Sequence, residues 1–466
     1  MAARLAQVAS HLAADNKAPR TQVGVKSPDD IVIVHALRSP ITRARKGAFK
    51  DTTSEFLLGA VLRGLIERTG INPALVDDIC VGNVCPPGGG ATTARMAALY
   101  AGFPHTTSMQ TVNRQCSSGL QAVVHIANAI QAGMIDIGIG AGVESMTQFY
   151  GPQHKMIPDT ISDDVMAAPE VADCIIPMGF TSENVAKDFG IARAKQDAFA
   201  ALSHKRAALA QKNGLFDAEI YPVRTKITDS DGNESVIVVD RDDGVRPEAT
   251  AESLAKLRPA FSADGCTTAG NASQVSDGAA AVLLMKRSRA QALGLPIQGK
   301  FIASAVAGVP PRIMGVGPAY AVPAVLKKTG LSIDSLEVIE LNEAFASQAV
   351  YSIEHLGLDI NKVNPKGGAI AFGHPLGCTG ARQISTLLTE LKRQDKRLDP
   401  IGLQKYLQSN KEREMREFLC EESEMIACES FNVDPDVPPA HHHNKAVNEE
   451  FAKQIHDLLH PSYGSA

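Results

Sequence analysis

A cysteine in a polar turn is the first residue of this chain equipped to make and break covalent bonds. Cys116 lies in Asn113-Arg114-Gln115-Cys116-Ser117-Ser118-Gly119-Leu120. The apolar set Leu120, Val123, Val124, Ile126, Ala127 and Ile130 that follows predicts a buried helix, ended by Gly133. Unpaired amides and the positive end of the helix dipole favour the thiolate, the form that attacks carbonyl carbon, so the turn predicts an activated nucleophile. Most buried cysteines are inert packing residues, so Cys116 needs partners before it counts as a site.

Candidate partners lie far along the chain, and repeated elements are needed to bring them close. From Asp30 the pattern alternates: strand over 31–36, helix over 55–69, strand over 76–84, the Cys116 helix, then a glycine-rich strand over 135–142. Such alternation predicts an α/β fold with a mostly parallel sheet covered by helices. After an interruption the plan returns, with a strand over 301–306, a helix over 320–329 and a strand over 336–341 that ends at Asn342. The chain therefore reads as an internal duplication. Overlaying the halves puts Gly373-His374-Pro375-Leu376-Gly377 where the first half has Cys116, each at the start of a third helix. Strand carboxyl ends and helix amino ends face one crevice in such folds, which brings a cysteine and a histidine together across a pseudo-twofold interface.

The segment from about 150 to 270 is an insertion, with scattered prolines, a charged helix over 192–213 and a polar stretch over 229–246. Arg246, Lys256 and Arg258 give it local positive charge that suits phosphate groups or, equally, a solvated surface. Gly138, Gly140 and Gly142 follow a strand, but the third glycine of a dinucleotide-binding turn is missing where Glu144-Ser145-Met146 stands, which disfavours an NAD enzyme.

The bulk properties set limits. A chain of 466 residues can hold two or three well-filled domains, and a net charge of −5 without a basic stripe argues against a nucleic-acid partner. No apolar run is long enough to span a bilayer. Eight dispersed cysteines without metal-ligand spacing point to a reducing compartment, and no metal site is expected. At the start, Arg4-Leu5, five residues, then His11-Leu12 resembles an amino-terminal peroxisomal targeting signal, read by an import receptor; a mitochondrial address is the alternative.

Four motifs in order resemble the thiolase family, specifically its degradative peroxisomal 3-ketoacyl-CoA branch: the Cys116 turn, Gly270-Asn271-Ala272-Ser273, Asn342-Glu343-Ala344-Phe345, and Asn364-Pro365 leading through Gly367-Gly368 to the His374 turn. The resemblance runs from about Asp30 to Arg393 and implies two similar βαβαβαββ halves with an inserted loop domain. In that scheme 1–29 is a targeting leader, 30–150 with 271–290 the first half, 151–270 the loop domain, 299–398 the second half and 399–466 an acidic tail. It implies thiolytic cleavage of a 3-ketoacyl-CoA in fatty-acid β-oxidation, with Cys116 as nucleophile, His374 as its base and Asn342 holding a water for an oxyanion. It also implies that Arg246 and Ser273 lie along coenzyme A, which is a cosubstrate, that no cofactor is tightly held, and that the protein is a homodimer. Taken singly, His374 reads as a turn residue, and Asn342 and Ser273 as helix caps.

One part of the family pattern is not met. A second catalytic cysteine is expected in a Cys-x-Gly motif on a strand soon after the helix that follows His374, and the chain instead continues through Asp399-Pro400-Ile401-Gly402 into a charged, helix-like stretch to Met425, then His441-His442-His443. Cys80-Val81-Gly82 and Cys378-Thr379-Gly380 stand at the wrong places, and Cys420 and Cys428 lack the glycine. The second half is thus expected to lack its last two strands. Two further readings follow: a thiolase-like protein that binds acyl-CoA or a partner with little turnover, and a biosynthetic acetoacetyl-CoA thiolase.

Overall fold

The computed structural model describes residues 23–151, 154, 157 and 160–395, together with the backbone of a strand, Ser423–Ser430. Arg4, Leu5, His11, Leu12, Cys420 and the histidines at 441–443 lie outside the described residues.

In the first half, strand β1 (Ile31–Arg38) is followed by helix α1 (Ser54–Thr69), β2 (Asp78–Gly82), α2 (Ala91–Ala101), β3 (Ser108–Val112), α3 (Ser118–Gln131) and β4 (Ile137–Ser145). The inserted segment carries α4 (Met178–Asp188), α5 (Arg193–Lys212) and a hairpin of β5 (Val223–Thr228) with β6 (Glu234–Val239). Strand β7 (Ser276–Lys286) then closes the first half, and the second supplies β8 (Gly299–Ala307), α6 (Gly317–Thr329), α7 (Ala346–Leu356) and α8 (Thr379–Arg393). The strand Ser423–Ser430, here β9, is the last described element.

The main sheet runs β9-β8-β1-β7-β4-β2-β3. β4, β2 and β3 are mutually parallel, β7 runs antiparallel between β1 and β4, and β9 lies parallel to β8. Apolar residues on both sides of a strand require a helix layer on each sheet face, and both layers are present. Val32, Val34, Ile79, Val81, Ile139 and Leu283 pack with Leu57, Leu58, Leu62, Ala94 and Ala98 on one face. Ile31, Ile33, Cys80, Val282 and Leu284 pack with Val123, Ile126 and Ala127 of α3 and with Ala381, Ile384 and Leu388 of α8 on the other. Each of the valine, leucine and isoleucine side chains among them contributes about 1.5–3 kcal/mol by leaving water. The layer shared by α3 and α8 is what brings the two halves face to face.

Two expectations shift. The segment 336–341 forms no continuous strand: it keeps a single parallel bridge, Ile339 to Val363. The stretch expected to be helix-like through Met425 enters a strand at Ser423 instead, and its backbone pairs with β8 from Ser423–Gly299 to Ser430–Ala307. The expectation of two missing closing strands falls largely on 396–422 and 431–466, outside the described residues.

Candidate active site

Cys116 sits between the end of β3 and the start of α3, in a turn built by its own side chains. Gln115 N–H donates to Asn113 Oδ1 at 2.9 Å, Arg114 N–H to Ser118 Oγ at 2.9 Å, and Ser118 Oγ–H to Gln115 O at 2.6 Å. These bonds hold Gln115 at φ +48°, a left-handed conformation that costs about 1–3 kcal/mol for a non-glycine residue and is stored where the surroundings over-determine it. Cys116 as a residue keeps partial exposure. Its thiol is nonetheless pushed up to about 12, first by burial and then by the Glu144 carboxylate. Desolvation and a neighbouring negative charge thus oppose the ionisation that the helix start favours.

His374 is positioned by its own backbone and by α8. Gly373, at φ +116°, makes the bend that presents it, and a side chain there would strike Ser276 Oγ at 2.1 Å. The His374 N–H donates to Gln274 O at 3.1 Å. Its Nδ1 lies 2.6 Å from Thr379 Oγ1, whose own proton goes to Pro375 O at 3.3 Å. Thr379 therefore accepts from Nδ1–H, which leaves Nε2 with its lone pair. Burial, then the Arg382 guanidinium, depresses the imidazole to about 3, so the ring is neutral and a weaker base than a free imidazole.

Asn342 completes the pair, with its Nδ2 3.4 Å from His374 Nε2. Its buried Oδ1 has no hydrogen-bond partner among the described residues. An orphaned buried amide oxygen beside an imidazole is a natural seat for a water. The supports come from Asn364, which accepts from Leu341 N–H at 2.8 Å and donates to Leu341 O at 2.7 Å, and from Glu343, which takes Ser203 Oγ at 2.6 Å and Asn364 Nδ2 at 2.8 Å.

Ser273 lies beside this segment: its N–H donates to Ala344 O at 2.9 Å, and its neighbour Ala272 bridges Phe345. Arg246 is exposed, with its N–H on His204 Nδ1 at 3.2 Å. Gln274, whose carbonyl receives His374 N–H, reaches Gly244 O at 2.8 Å, so the Arg246 loop is tied to the site by one side chain. Among the described residues no hydrogen bond joins Cys116 to His374, and no cluster of side chains suits a metal ion. The two turns meet instead through backbone packing of α3 on α8, where a Cβ at Gly119 would stand 2.6 Å from Gly377 O. Cys80 is fully buried in β2, and Cys378 is buried in the turn before α8. Sequence reasoning passed over Thr379, which fixes the histidine tautomer, and Glu144, which faces Cys116. A buried acid at a strand end was the available signal for Glu144.

A cysteine turn before α3 and a His–Asn pair beside the start of α8, on two helices that pack together, is the arrangement to set against known proteins. The chain belongs to the thiolase family: residues 31–288 match Thiolase, N-terminal domain, and residues 295–403 match Thiolase, C-terminal domain. Similar proteins include the peroxisomal 3-ketoacyl-CoA thiolase of Yarrowia lipolytica, 55% identical over 80% of this chain and 89% of that protein. The peroxisomal 3-ketoacyl-CoA thiolase of Homo sapiens is 54% identical over 80% and 87%. The crystal structure of the dimeric peroxisomal thiolase of Saccharomyces cerevisiae superposes with a TM-score of 0.73 at 50% identity, covering 79% of this chain and 93% of that one.

Proposed function

We propose that this chain is a peroxisomal 3-ketoacyl-CoA thiolase that works as a homodimer in fatty-acid β-oxidation, with Cys116, His374 and Asn342 as its catalytic residues. In the first half-reaction Cys116 sulfur attacks the 3-keto carbon while its proton passes to His374 Nε2. The bond between carbons 2 and 3 breaks, acetyl-CoA leaves as its enolate and takes up the proton that His374 received, returned directly or through water, and the shortened acyl group stays on Cys116 as a thioester. The thiol of coenzyme A then attacks that thioester, releasing the shortened acyl-CoA and regenerating Cys116. Because the resting thiol is protonated and the resting imidazole neutral, the proton moves only as the nucleophile attacks. Asn342 and the water it seats would support the thioester oxygen as it gains charge. Arg246 and Ser273 are assigned to coenzyme A, which is consumed and re-formed and is not a resident cofactor.

The observation that carries this reading is the placement of the His374 ring, with Nδ1 2.6 Å from Thr379 Oγ1 and Nε2 3.4 Å from Asn342 Nδ2. A second reading, binding with little turnover, rests on the described half-site: no Cys-x-Gly stands at a strand end of the second half among the described residues. Incubating purified protein with a medium-chain 3-ketoacyl-CoA and coenzyme A distinguishes them. Acetyl-CoA release that is abolished by Cys116→Ser supports the thiolase. A folded chain that is alkylated at Cys116 but releases no acetyl-CoA supports the binding protein.

A further inference from the structure

We propose that Glu144 is a positioning residue for this chemistry, whose one carboxylate ties the loop beside Cys116 to the loop that carries His374. The proposal rests on the thiolase reading above. Glu144 stands near the end of β4, fully buried. Its Oε1 accepts Cys85 N–H at 3.0 Å, while Oε2 accepts Val84 N–H at 3.0 Å and Gly377 N–H at 2.8 Å. Val84 and Cys85 follow β2 in the first half, and Gly377 follows His374 by three residues in the second. One side chain therefore binds backbone from both halves at the level of the two reacting groups.

Strand structure alone does not need an ionisable group there. An apolar side chain would fill the volume, whereas a buried carboxyl is costly unless its oxygens are satisfied. Here three backbone donors satisfy it, and burial, partly offset by those donors, holds its pKa at about 7. Three thiols face it: Cys85 from the loop after β2, Cys116 from the turn before α3, and Cys378 from the turn before α8, and the negative charge opposes ionisation of each. Tyr150 lies in the same field, facing Cys85 and Cys116. Glu144 thus has two separable effects. Its oxygens hold the loops in register, and its charge adds to burial in opposing ionisation of the Cys116 thiol.

Those effects pull two measurements in opposite directions. In Glu144→Gln the charge is lost and an amide NH₂ replaces one acceptor. Alkylation of Cys116 by iodoacetamide at about pH 8.5 is expected to rise by about 3–10-fold, as a nearby negative charge is removed. kcat for acetyl-CoA release is expected to fall by at least about tenfold with KM little changed, because the His374 loop loses its tether. Glu144→Asp keeps the charge and shortens the reach, so alkylation stays at the wild-type rate while kcat still falls. A residue of merely structural importance would lower thermal stability and the active fraction without accelerating alkylation in the glutamine variant. Wild-type kcat in both variants, alkylation unchanged in Glu144→Gln, or failure of both to fold by circular dichroism would each overturn the proposal. If wild type itself released no acetyl-CoA, the thiolase reading would fail while the alkylation comparison still decided whether Glu144 controls the thiol.

Discussion

Asn342 shows how a residue's task can be separated from its place. As a cap it would stabilise a helix start; as a catalytic group it must present the polar atoms that face His374 Nε2. The second role gives a use to a buried Oδ1 that has no partner among the described residues. Asn342→Ala is expected to lower kcat by about 10²–10³-fold, the usual loss for one donor of charge stabilisation, with KM within about threefold. The melting temperature should stay within a few degrees, because the side chain makes one long hydrogen bond at 3.4 Å. A drop in melting temperature with unchanged kcat would return Asn342 to a capping role. At this scale the turn around Cys116 was legible from residue type, whereas His374 and Asn342, read singly as a turn residue and a cap, were singled out through the thiolase resemblance. The protonation state of Cys116 was not legible, because it is set first by burial and then by the charge of Glu144, near the end of another strand, and both depend on tertiary packing.

The α3 and α8 pair sets the distance between the two turns. A Cβ at Gly119 would lie 2.6 Å from Gly377 O, and one at Gly380 would lie 2.3 Å from Leu120 N; both obstacles are backbone, which cannot rotate away. Gly119→Ala should therefore destabilise the protein by about 1–3 kcal/mol, as overpacking does, and also lower kcat, since it wedges the Cys116 turn away from the His374 turn. Gly70 gives the contrast. It ends α1 at φ +67° with open space around it, so Gly70→Ala should cost about 1 kcal/mol in urea unfolding and leave kcat intact. Equal kcat losses in the two variants would deny the helix pair its role. Strand and helix positions in the first half were readable because apolar periodicity and glycine stops agree there. The strand expected over 336–341 was read from the same apolar signal, yet a ladder needs partners on its edges, and Ile339 finds only Val363 among the described residues. Pairing by β9 could not be inferred, since a parallel edge strand depends on a neighbour more than a hundred residues away.

Across the molecule, buried charge ties the segments together. Arg38 of β1 meets Glu219 at 2.8 Å and Asp242 at 2.7 Å, both from the inserted segment, and Lys366 of the second half meets Glu219 at 2.6 Å. Burial opposes the Glu219 charge, but Lys366 and Arg38 outweigh it and hold the carboxyl down at about 2. His35, His204 and His374 are held neutral by burial, with pKa values near 4, 4 and 3 against an unfolded 6.5. Below 6.5 the unfolded chain binds protons that these rings refuse, so their contribution is lost as pH falls. Glu144 and Glu340 act the other way: burial raises both to about 7 from 4.5, and their contribution is lost as pH rises from 4.5 through 7. Between 4.5 and 6.5 three histidines therefore oppose two glutamates, and stability changes little. Below 4.5 the glutamates no longer differ between states, while Glu219 now joins the histidines, so the acid limb steepens. Above about 9 the unfolded thiols ionise while burial keeps Cys80, Cys116 and Cys378 protonated to about 12, and stability falls again. Urea unfolding at about pH 4, 5.5, 7, 8.5 and 10 should trace a plateau from about 5.5 to 8.5, with the steeper fall on the acid side. Equal stability at about pH 4 and pH 7 would mean that the buried histidines and Glu219 do not carry the charge states their surroundings impose.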